Sequence, residues 1–542
     1  MSQELVDEAM DAYRLAQMLM AGKVGSAVGE AAPHLRRAAD CWGRAQRSQQ
    51  RAEVLVELGR LNQRSGEHAA AVDAFEEAVQ IFRELKQRKE AAEAGVAAGL
   101  SQKALGRPDL AVAYLERALA IHRDGGDLID QAMTRLSLAA VHLDQREAAQ
   151  ALLHYREALP ILARHSKRAE VAHVHEMMAV GHQMTGDDAA AIADFDTAIT
   201  MKQQQLGDMR GAAKTMARLA DLRRHRGQLD EALALYQRAL DLHRLRNDQA
   251  LIAQALGNIG TVHSLRGNHA AALEHYRQSL TLSTAAGERA AVAQTLYNIA
   301  GIQLELHHEG EALTALTQAL AVCDELGSRT LAERILAVMA DLHGRAGETV
   351  QAEACRRRRV DVLAQIGDPV GLRVALEELI EETLARQDWE ALIDLERRLL
   401  STCGSELSIA DRADHRLRQG TAAARLGDHP AAIEAFEQGL DDGEASGDDE
   451  RLARLLRQLG ASELHVGASA DALAHYQRAL AIHRTRDESM PAAIALVGVG
   501  NALAQLGRKD EAREALGEAA GIRESLGDEK GTAAIRKATN SL

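Results

Sequence analysis

The sequence contains few aromatic residues, prolines and cysteines. Only 2% of its 542 residues are aromatic, and it has six prolines and four cysteines. The scarcity of aromatic residues argues against a β-propeller, whose blades need β-rich, aromatic sequence. The cysteines are Cys41, Cys323, Cys355 and Cys403. Because they lie far apart, without the close pairs of a zinc site, we expect them to be buried small hydrophobic residues in a reducing compartment.

Other absences narrow the function classes. The sequence has no nucleophile elbow, P-loop, HExxH motif or paired CxxC motif, so we predict a protein that is not an enzyme and holds no cofactor or metal. The first twenty residues are acidic and amphipathic, without a basic leader or a long apolar core. We therefore expect a cytoplasmic protein with no membrane insertion. The formal net charge of −15 disfavours a nucleic-acid partner, which usually requires a basic surface.

What the sequence does have is a repeat of 40 residues. Twelve positions recur at this spacing, with one added residue between Gly186 and Gly227, and we call them the turn positions. They are Gly66, Gly106, Arg146, Gly186, Gly227, Gly267, His307, Gly347, Gln387, Gly427, Gly467 and Gly507. A period of this length is typical of a solenoid or a propeller rather than of a compact globule.

An amphipathic helix is predicted on each side of every turn position. An alanine stands five residues after it in most copies, a large side chain such as Phe75 or Tyr236 nine after, and a small residue twelve after. These offsets trace one face of a helix. Seven residues before it stands glycine or alanine in most copies, and a mid-helix glycine costs about 1 kcal/mol relative to alanine. Its recurrence, as at Gly59 and Gly260, therefore predicts close helix contact and a helix hairpin in each unit.

The pattern resembles the tetratricopeptide repeat. The stretch that matches nearly throughout is ALGNIGTVHSLRGNHAAALEHYRQSLTL, residues 255–282. The unit is longer than the usual length of about 34 residues, and it is similar to the extended arrays of kinesin light chain, of GoLoco-binding polarity scaffolds and of many bacterial regulatory proteins. The resemblance implies an all-α, right-handed α-solenoid of about twelve helix hairpins with capping helices at both ends. HEAT repeats are the alternative, against which the alanine and glycine offsets argue.

The array is expected to be uneven along its length. We predict N-terminal capping helices at 1–48, joined by an irregular connector at 21–33, and a first array at 49–346. Degenerate repeats at 347–405, a second array at 406–528 and a C-terminal cap at 529–542 complete the division.

Residues 347–405 depart most from the pattern. Arg356 and Arg359 occupy the large and small positions of their unit. Because a buried arginine is costly unless it is paired, we expect both to meet glutamates of the following helix, among them Glu378 and Glu382. The alternatives are a polyarginine docking patch or a hinge between two sub-arrays. In either case the superhelix is expected to bend or break here.

The histidines are interpreted as structural. Four of them share the offset four residues before the turn position: His142, His182, His263 and His343. Residues equivalent by repeat lie about 10 Å apart at best, too far to bind one metal ion. His122, His243 and His483 lie on the second helices, where we expect them to cap the helix or to face solvent.

The resemblance also implies where a partner would bind. In this family the first helices line the concave surface and bind peptides, and the matching offsets here are 13, 10, 9, 6, 3 and 2 residues before the turn position. The candidate partner-binding residues are Lys214, Asp221, Arg224, Gln254, Asn258, Thr261, Gln294, Tyr297, Asn298, Arg334 and Asp341. Asn258 and Asn298 lie one repeat apart, and their amides can both donate to and accept from a peptide backbone.

Two functions follow from the resemblance. The first is a non-catalytic scaffold that binds a peptide or helical segment of a partner protein, with self-association left open. The alternative is a regulatory or sensor subunit whose superhelix changes shape on binding a signal peptide or small GTPase. A C-terminal carboxylate is a disfavoured ligand, because Asn298 and Arg334 supply at most half of the carboxylate clamp of related proteins, and Thr261 and Val338 fill its other positions.

Overall fold

The protein, seen as a computed structural model, is an all-α solenoid. The structure describes residues 2–21 and 25–542, and in this part of the chain the regular elements are 27 α-helices and one π-helical segment. The first fourteen helices are α1 (Ser2–Ala21), α2 (Gly25–Arg44), α3 (Ser48–Arg64), α4 (His68–Glu84), α5 (Arg88–Ala104), α6 (Pro108–Gly125), α7 (Leu128–Asp144), α8 (Ala148–Arg164), α9 (Arg168–Thr185), α10 (Asp188–Thr200, followed by the π segment Met201–Gln205), α11 (Met209–His225), α12 (Leu229–Leu245), α13 (Gln249–Leu265) and α14 (His269–Ala285). The others are α15 (Arg289–Glu305), α16 (Glu309–Leu326), α17 (Arg329–Arg345), α18 (Thr349–Ile366), α19 (Pro369–Ala385), α20 (Trp389–Cys403), α21 (Ile409–Arg425), α22 (His429–Ser446), α23 (Asp449–Val466), α24 (Ser469–Thr485), α25 (Ser489–Gln505), α26 (Lys509–Ser525) and α27 (Glu529–Asn540).

The helices from α3 to α26 form twelve hairpins, each with a turn position between its two helices. All twelve turn positions have positive φ, for example 80° at Gly66 and 58° at Gln387. Positive φ is the left-handed conformation that glycine adopts without a Cβ penalty, which explains why glycine recurs at this position. Arg146, His307 and Gln387 adopt the same conformation with a Cβ atom, which costs roughly 1–2 kcal/mol at each site.

The mid-helix glycines lie against the large side chains of the same hairpin. A Cβ atom on Gly59 would come within 2.6 Å of the Phe75 ring, and one on Gly420 within 2.5 Å of the Phe436 ring. Phe75 and Phe436 are fully buried. The predicted close contact between the two helices of a hairpin is therefore confirmed, and the aromatic ring fills the space that the glycine leaves.

The one residue added to the repeat is accommodated as a π-helical turn. The segment Met201–Gln205 continues α10 and lies within the stretch where the spacing of turn positions is one residue longer. It carries Lys202, whose Nζ donates to Glu176 Oε2 at 2.6 Å and to Thr215 Oγ1 at 2.8 Å. The π-helix occurs mostly as a single turn of this kind, and here it coincides with a largely buried ion pair.

The chain divides into two compact units, Met1–Ala286 and Gly287–Leu542, called unit 1 and unit 2. Unit 1 contains α1 to α14 and unit 2 contains α15 to α27. In each unit the buried core runs between successive helices as a series of apolar clusters. The degenerate repeats at 347–405 lie inside unit 2, and the hinge proposed for them stays a prediction.

The N-terminal connector was predicted wrongly. Helix α2 begins at Gly25, so residues 25–33 are helical rather than irregular, and residues 22–24 lie outside the described part of the chain. Ala31 and Leu35 lie on the apolar face of α2 and are fully buried against α1 and α3. At the other end of the chain, Ile535 of α27 packs into the core formed by α25 and α26.

Three of the four cysteines lie in the core. Cys41, Cys323 and Cys403 are buried and Cys355 is half-buried, which confirms the expected packing role for the first three. Burial raises the pKa of the Cys323 thiol, so it stays protonated.

Within residues 2–21 and 25–542, no helix has both the length and the apolar character that crossing a lipid bilayer requires.

Candidate functional site

The first helices of several hairpins, among them α3, α11, α13, α15 and α17, carry polar side chains on one face, and we call the residues 13, 10, 9, 6 and 3 before a turn position the first-helix face. All eleven predicted partner-binding residues lie on this face and are exposed or half-buried. In unit 1, α11 carries Lys214, Asp221 and Arg224, and α13 carries Gln254, Asn258 and Thr261. In unit 2, α15 carries Gln294, Tyr297 and Asn298, and α17 carries Arg334 and Asp341.

In unit 1 the large side chains of the second helices reach this face. Tyr236 Oη donates to Asp221 Oδ1 at 2.6 Å, and Arg224 Nη2 donates to the same oxygen at 3.3 Å. Burial, together with the Asp221 carboxylate, raises the pKa of Tyr236, so the phenol stays a neutral donor. In the next hairpin Thr261 Oγ1 lies 3.0 Å from the hydroxyl oxygen of the equivalent tyrosine. These contacts fix the side chains that form the floor of the face.

In unit 2 the predicted residues pair with neighbours on the same face. Gln294 Nε2 donates to Asn298 Oδ1 at 2.9 Å. The Arg334 guanidinium lies over the Tyr297 ring, 4.8 Å from its centre, in a cation–π contact. Asn298 and Arg334, which supply at most half of a carboxylate clamp, thus each contact a different residue.

A cavity of about 410 Å³ opens between α17, α18 and α19 in unit 2, and we call it the arginine cavity. It is lined by Ala337, Ala340, Asp341, Arg356, Arg359, Glu378 and Glu382. It lies where other hairpins place an aromatic or leucine side chain, because Arg356 occupies that offset here. The guanidinium does not fill the apolar space beside Ala340, and a cavity remains.

Both arginines of this cavity are neutralised within the chain. Arg356 Nη1 donates to the two oxygens of Glu382 at 3.0 and 2.9 Å. Arg359 donates from Nε to Glu333 at 2.7 Å and from Nη1 to Glu378 at 3.2 Å. The predicted pairing with glutamates of the following helix is confirmed, and Glu333 of the preceding first helix adds a partner that the sequence did not indicate.

A cavity of about 350 Å³ lies on the first-helix face of unit 1, and we call it the acidic cavity. It is lined by Tyr13, Glu53, Val56, Glu57, Arg60, Phe82, Glu90, Glu93, Ala94 and Ala97. Four carboxylates face one guanidinium, that of Arg60. The glutamates were missed at the sequence level, although Glu53, Glu57 and Glu93 stand 13 or 9 residues before a turn position and could have been found by those offsets.

A third cavity, of about 270 Å³, lies beside a buried carboxylate in unit 2. Glu396 stands where other hairpins hold an aromatic and is fully buried. Its Oε2 lies 2.7 Å from His415 Nδ1, and its Oε1 lies 3.0 Å from Arg418 Nε. His415 and Arg418 also line the cavity. The two partners come from α21, the next first helix, so the buried charge is balanced across a repeat boundary.

The histidines four residues before the turn positions pack inside their hairpins. His142 stacks on His154 with 5.5 Å between ring centres, and His263 stacks on His275 at 5.3 Å. Burial lowers the pKa of His154, His263 and His275, so these three rings are neutral near pH 7. The structural interpretation of these histidines is confirmed.

The expectation for the second-helix histidines was wrong. His122, His243 and His483 are all buried rather than capping or facing solvent. They stand 16 residues after a turn position, where the second helix packs against the next first helix. The same offset holds Phe82 and Leu162, and these apolar residues were the signal for burial.

Profiles of known families match most of the chain. The profile described as tetratricopeptide repeat matches residues 92–164, 168–245, 251–325, 411–485 and 451–525, together more than half of the sequence. The profile described as anaphase-promoting complex subunit 5 matches residues 26–94. A search of curated proteins found no match.

Several solved structures are similar to this chain at low sequence identity. The aspartyl phosphate phosphatase F from Bacillus subtilis is 13% identical, with 67% of this chain and 94% of that chain covered and a TM-score of 0.41. The apo form of the quorum sensor NprR from B. thuringiensis is 12% identical, with 67% and 98% covered and a TM-score of 0.44. TPR-like repeats assigned to a kinesin light chain of Podosopora anserina are 18% identical, with 36% and 97% covered and a TM-score of 0.34. At such low identity these structures say nothing about what this chain binds.

Proposed function

Because the chain belongs to the tetratricopeptide-repeat family, we propose that it is a non-catalytic interaction scaffold that binds a peptide or helical segment of a partner protein on its first-helix face. The observation that carries the proposal is the recurrence of exposed or half-buried polar side chains at the same offsets of the first helices in both units. Cavities open on this face in unit 1 and in unit 2. Such a face offers a bound segment both polar partners and recesses.

The chemistry of the face suits a peptide backbone. Asn258 and Asn298 each present an amide, which has two donor hydrogens and an acceptor oxygen, so one side chain can bind both the C=O and the N–H of an extended peptide. The hairpins beneath are tightly packed, and the face is therefore formed before any ligand arrives. A preformed site reduces the entropy lost on binding.

The charges of the face indicate a partner of mixed charge. Lys214 and Arg334 are exposed cations, while Asp341 is an exposed carboxylate that also pairs with Arg345 at 2.9 Å. Exposed pairs of this kind contribute little to folding stability, about 0–1 kcal/mol. They can therefore exchange their partner for a charged ligand group at little cost to the fold.

The test is a proximity-labelling and pull-down experiment with the full chain and with the triple variant Asn258→Ala/Asn298→Ala/Arg334→Ala. Each lost hydrogen bond is worth about 0.5–1.5 kcal/mol, and one to a charged group about 1.5–3 kcal/mol. The amount of each partner recovered through the first-helix face should therefore fall about tenfold or more. Recovery of the same partners at the same level would contradict the placement of the site.

The matched control is the variant Gln237→Ala/Arg277→Ala/Gln318→Ala, which removes two amides and one guanidinium from exposed positions of second helices. It should recover the partners as the unchanged chain does. Solution scattering of the purified complex then separates a passive scaffold from the sensor alternative. A scaffold keeps its radius of gyration apart from the added mass of the ligand, whereas a sensor changes it.

A further inference from the structure

We propose that the acidic cavity of unit 1 is the docking site for a basic side chain, lysine or arginine, of the partner segment. The inference rests on the proposed function, because it specifies which chemistry the partner brings to one place on the first-helix face. It is carried by the shape of the cavity, by its apolar floor and by its carboxylates, which outnumber the one guanidinium beside them and form no ion pair among the described residues.

The cavity combines an apolar floor with a charged rim. Phe82 is 3% exposed and closes the floor together with Val56, Ala94 and Ala97. Tyr13 of α1 also lines the cavity, so the N-terminal helix contributes an aromatic ring to a site built by α3, α4 and α5. Burial and the Glu57 carboxylate raise the pKa of the Tyr13 phenol, which stays a neutral hydrogen-bond donor to Glu57.

The carboxylates of the rim lack ion-pair partners. Among the described residues, none of Glu53, Glu57, Glu90 and Glu93 lies within ion-pair distance of a cationic side chain, and Arg60 pairs with no carboxylate. Glu53 accepts a hydrogen bond from Gln49 Nε2 at 2.7 Å, which leaves its charge uncompensated. In the arginine cavity, by contrast, both guanidinium groups are matched by carboxylates. The acidic cavity therefore has an excess of negative charge that a ligand can balance.

A lysine or arginine side chain complements this arrangement. Its aliphatic stem would cover Val56, Phe82 and the two alanines, and its charged head would reach the glutamates at the rim. The aromatic rings of Tyr13 and Phe82 add a surface that attracts cations. A metal ion fits less well, because no three His, Cys, Asp or Glu side chains in the described part of the chain are arranged to hold one. The apolar floor also has no role in binding a hydrated ion.

The experiment is a selection from a phage-displayed library of random dodecapeptides on the immobilised full chain. The unchanged chain should enrich peptides that carry arginine or lysine at one fixed position of the motif. The isosteric variant Glu53→Gln/Glu57→Gln/Glu93→Gln should lose that preference. The most enriched peptide, labelled and measured by fluorescence anisotropy, should bind the variant about tenfold or more weakly, the loss expected for charge-assisted hydrogen bonds.

The matched control is Glu116→Gln/Glu437→Gln/Glu514→Gln, which makes the same change in net charge at exposed positions of second helices. If it too loses the basic preference, the enrichment reflects the overall negative charge of the protein and the inference is wrong. Enrichment of peptides without a fixed basic residue would also overturn it and would leave the proposed function standing. If no peptide is enriched on any of the three proteins, both the inference and the proposed function fail.

Discussion

The acidic cavity and the arginine cavity occupy the same face of the repeat but treat their charges in opposite ways. In unit 2, Arg356 has replaced the aromatic side chain of its hairpin, and Glu382 of the next first helix neutralises it. In unit 1, Phe75 still fills the interior of its hairpin, and the cavity lies outside that interior with four glutamates at its rim. In the arginine cavity, the glutamate neutralises an arginine that departs from the repeat pattern. In the acidic cavity, the negative charge of the glutamates stays available to a ligand.

The difference shows how one repeat can carry two kinds of polar site. The offsets before the turn position decide where a side chain faces, because they select one side of the helix. The identity of the neighbours decides whether its charge is used inside the fold. Glu378 and Glu382 are matched by arginines one helix away, while Glu57 and Glu93 are not. Paired charges then contribute to stability, and unpaired ones stay available to a ligand.

The sharpest test of the comparison is to break one pair of the arginine cavity. Glu382→Val should lower the free energy of opening of α18 and α19 by about 1–3 kcal/mol, because Arg356 keeps its charge and loses a two-oxygen partner. Arg356 and Glu382 are 24% and 30% exposed, so we expect the lower part of that range. Hydrogen exchange of the amides in α18 and α19 measures the effect locally, since a repeat array need not unfold in one step.

The double variant Arg356→Phe/Glu382→Val restores the residue types of the ordinary hairpin and serves as the control. It should recover most or all of the loss, because a buried ion pair replaced by packed apolar side chains is often neutral or stabilising. A double variant less stable than the single one would show that the Arg356–Glu382 pair stabilises the hairpin more than apolar packing at the same positions does.

A smaller effect is expected at the turn position of the next hairpin. Gln387 has φ of 58°, and the change Gln387→Gly should stabilise α19 and α20 by about 0.5–1 kcal/mol, because it removes the Cβ penalty but raises the entropy of the unfolded chain. Thermal unfolding followed by circular dichroism measures it. The equivalent change at Gly427, where Gly427→Gln introduces the penalty, should lower stability by a similar amount.

The smallest effect is expected in the acidic cavity. Glu93→Gln should change the stability of α5 by less than about 0.5 kcal/mol, since the carboxylate has no ion pair to lose and surface substitutions usually fall in this range. Urea unfolding of the full chain, with hydrogen exchange in α5, provides the measurement. A loss as large as that of Glu382→Val would remove the distinction between the two cavities.

Much of the fold and part of the site could be predicted from the residues alone. The glycine at the turn position and the alanine and large side chain that follow it recur so often that the hairpins, their contacts and the pairing of Arg356 with the next helix were all predicted correctly. The helix at 25–33 was missed because its residues belong to no repeat copy. The burial of His122 was missed because polarity was weighed above the offset that it shares with Phe82.

Sequence periodicity determined which residues face the interior and which face outward, because a helix of 3.6 residues per turn fixes the direction of each side chain. Only the tertiary structure decided which polar side chains meet. Tyr13 and Glu57 are far apart in the chain, and Glu396 is balanced by His415 and Arg418 from another hairpin. Such contacts depend on how neighbouring helices stack and on the length of each side chain. The spacing of residues within one repeat does not specify how the helices stack or which side chains come within reach of each other.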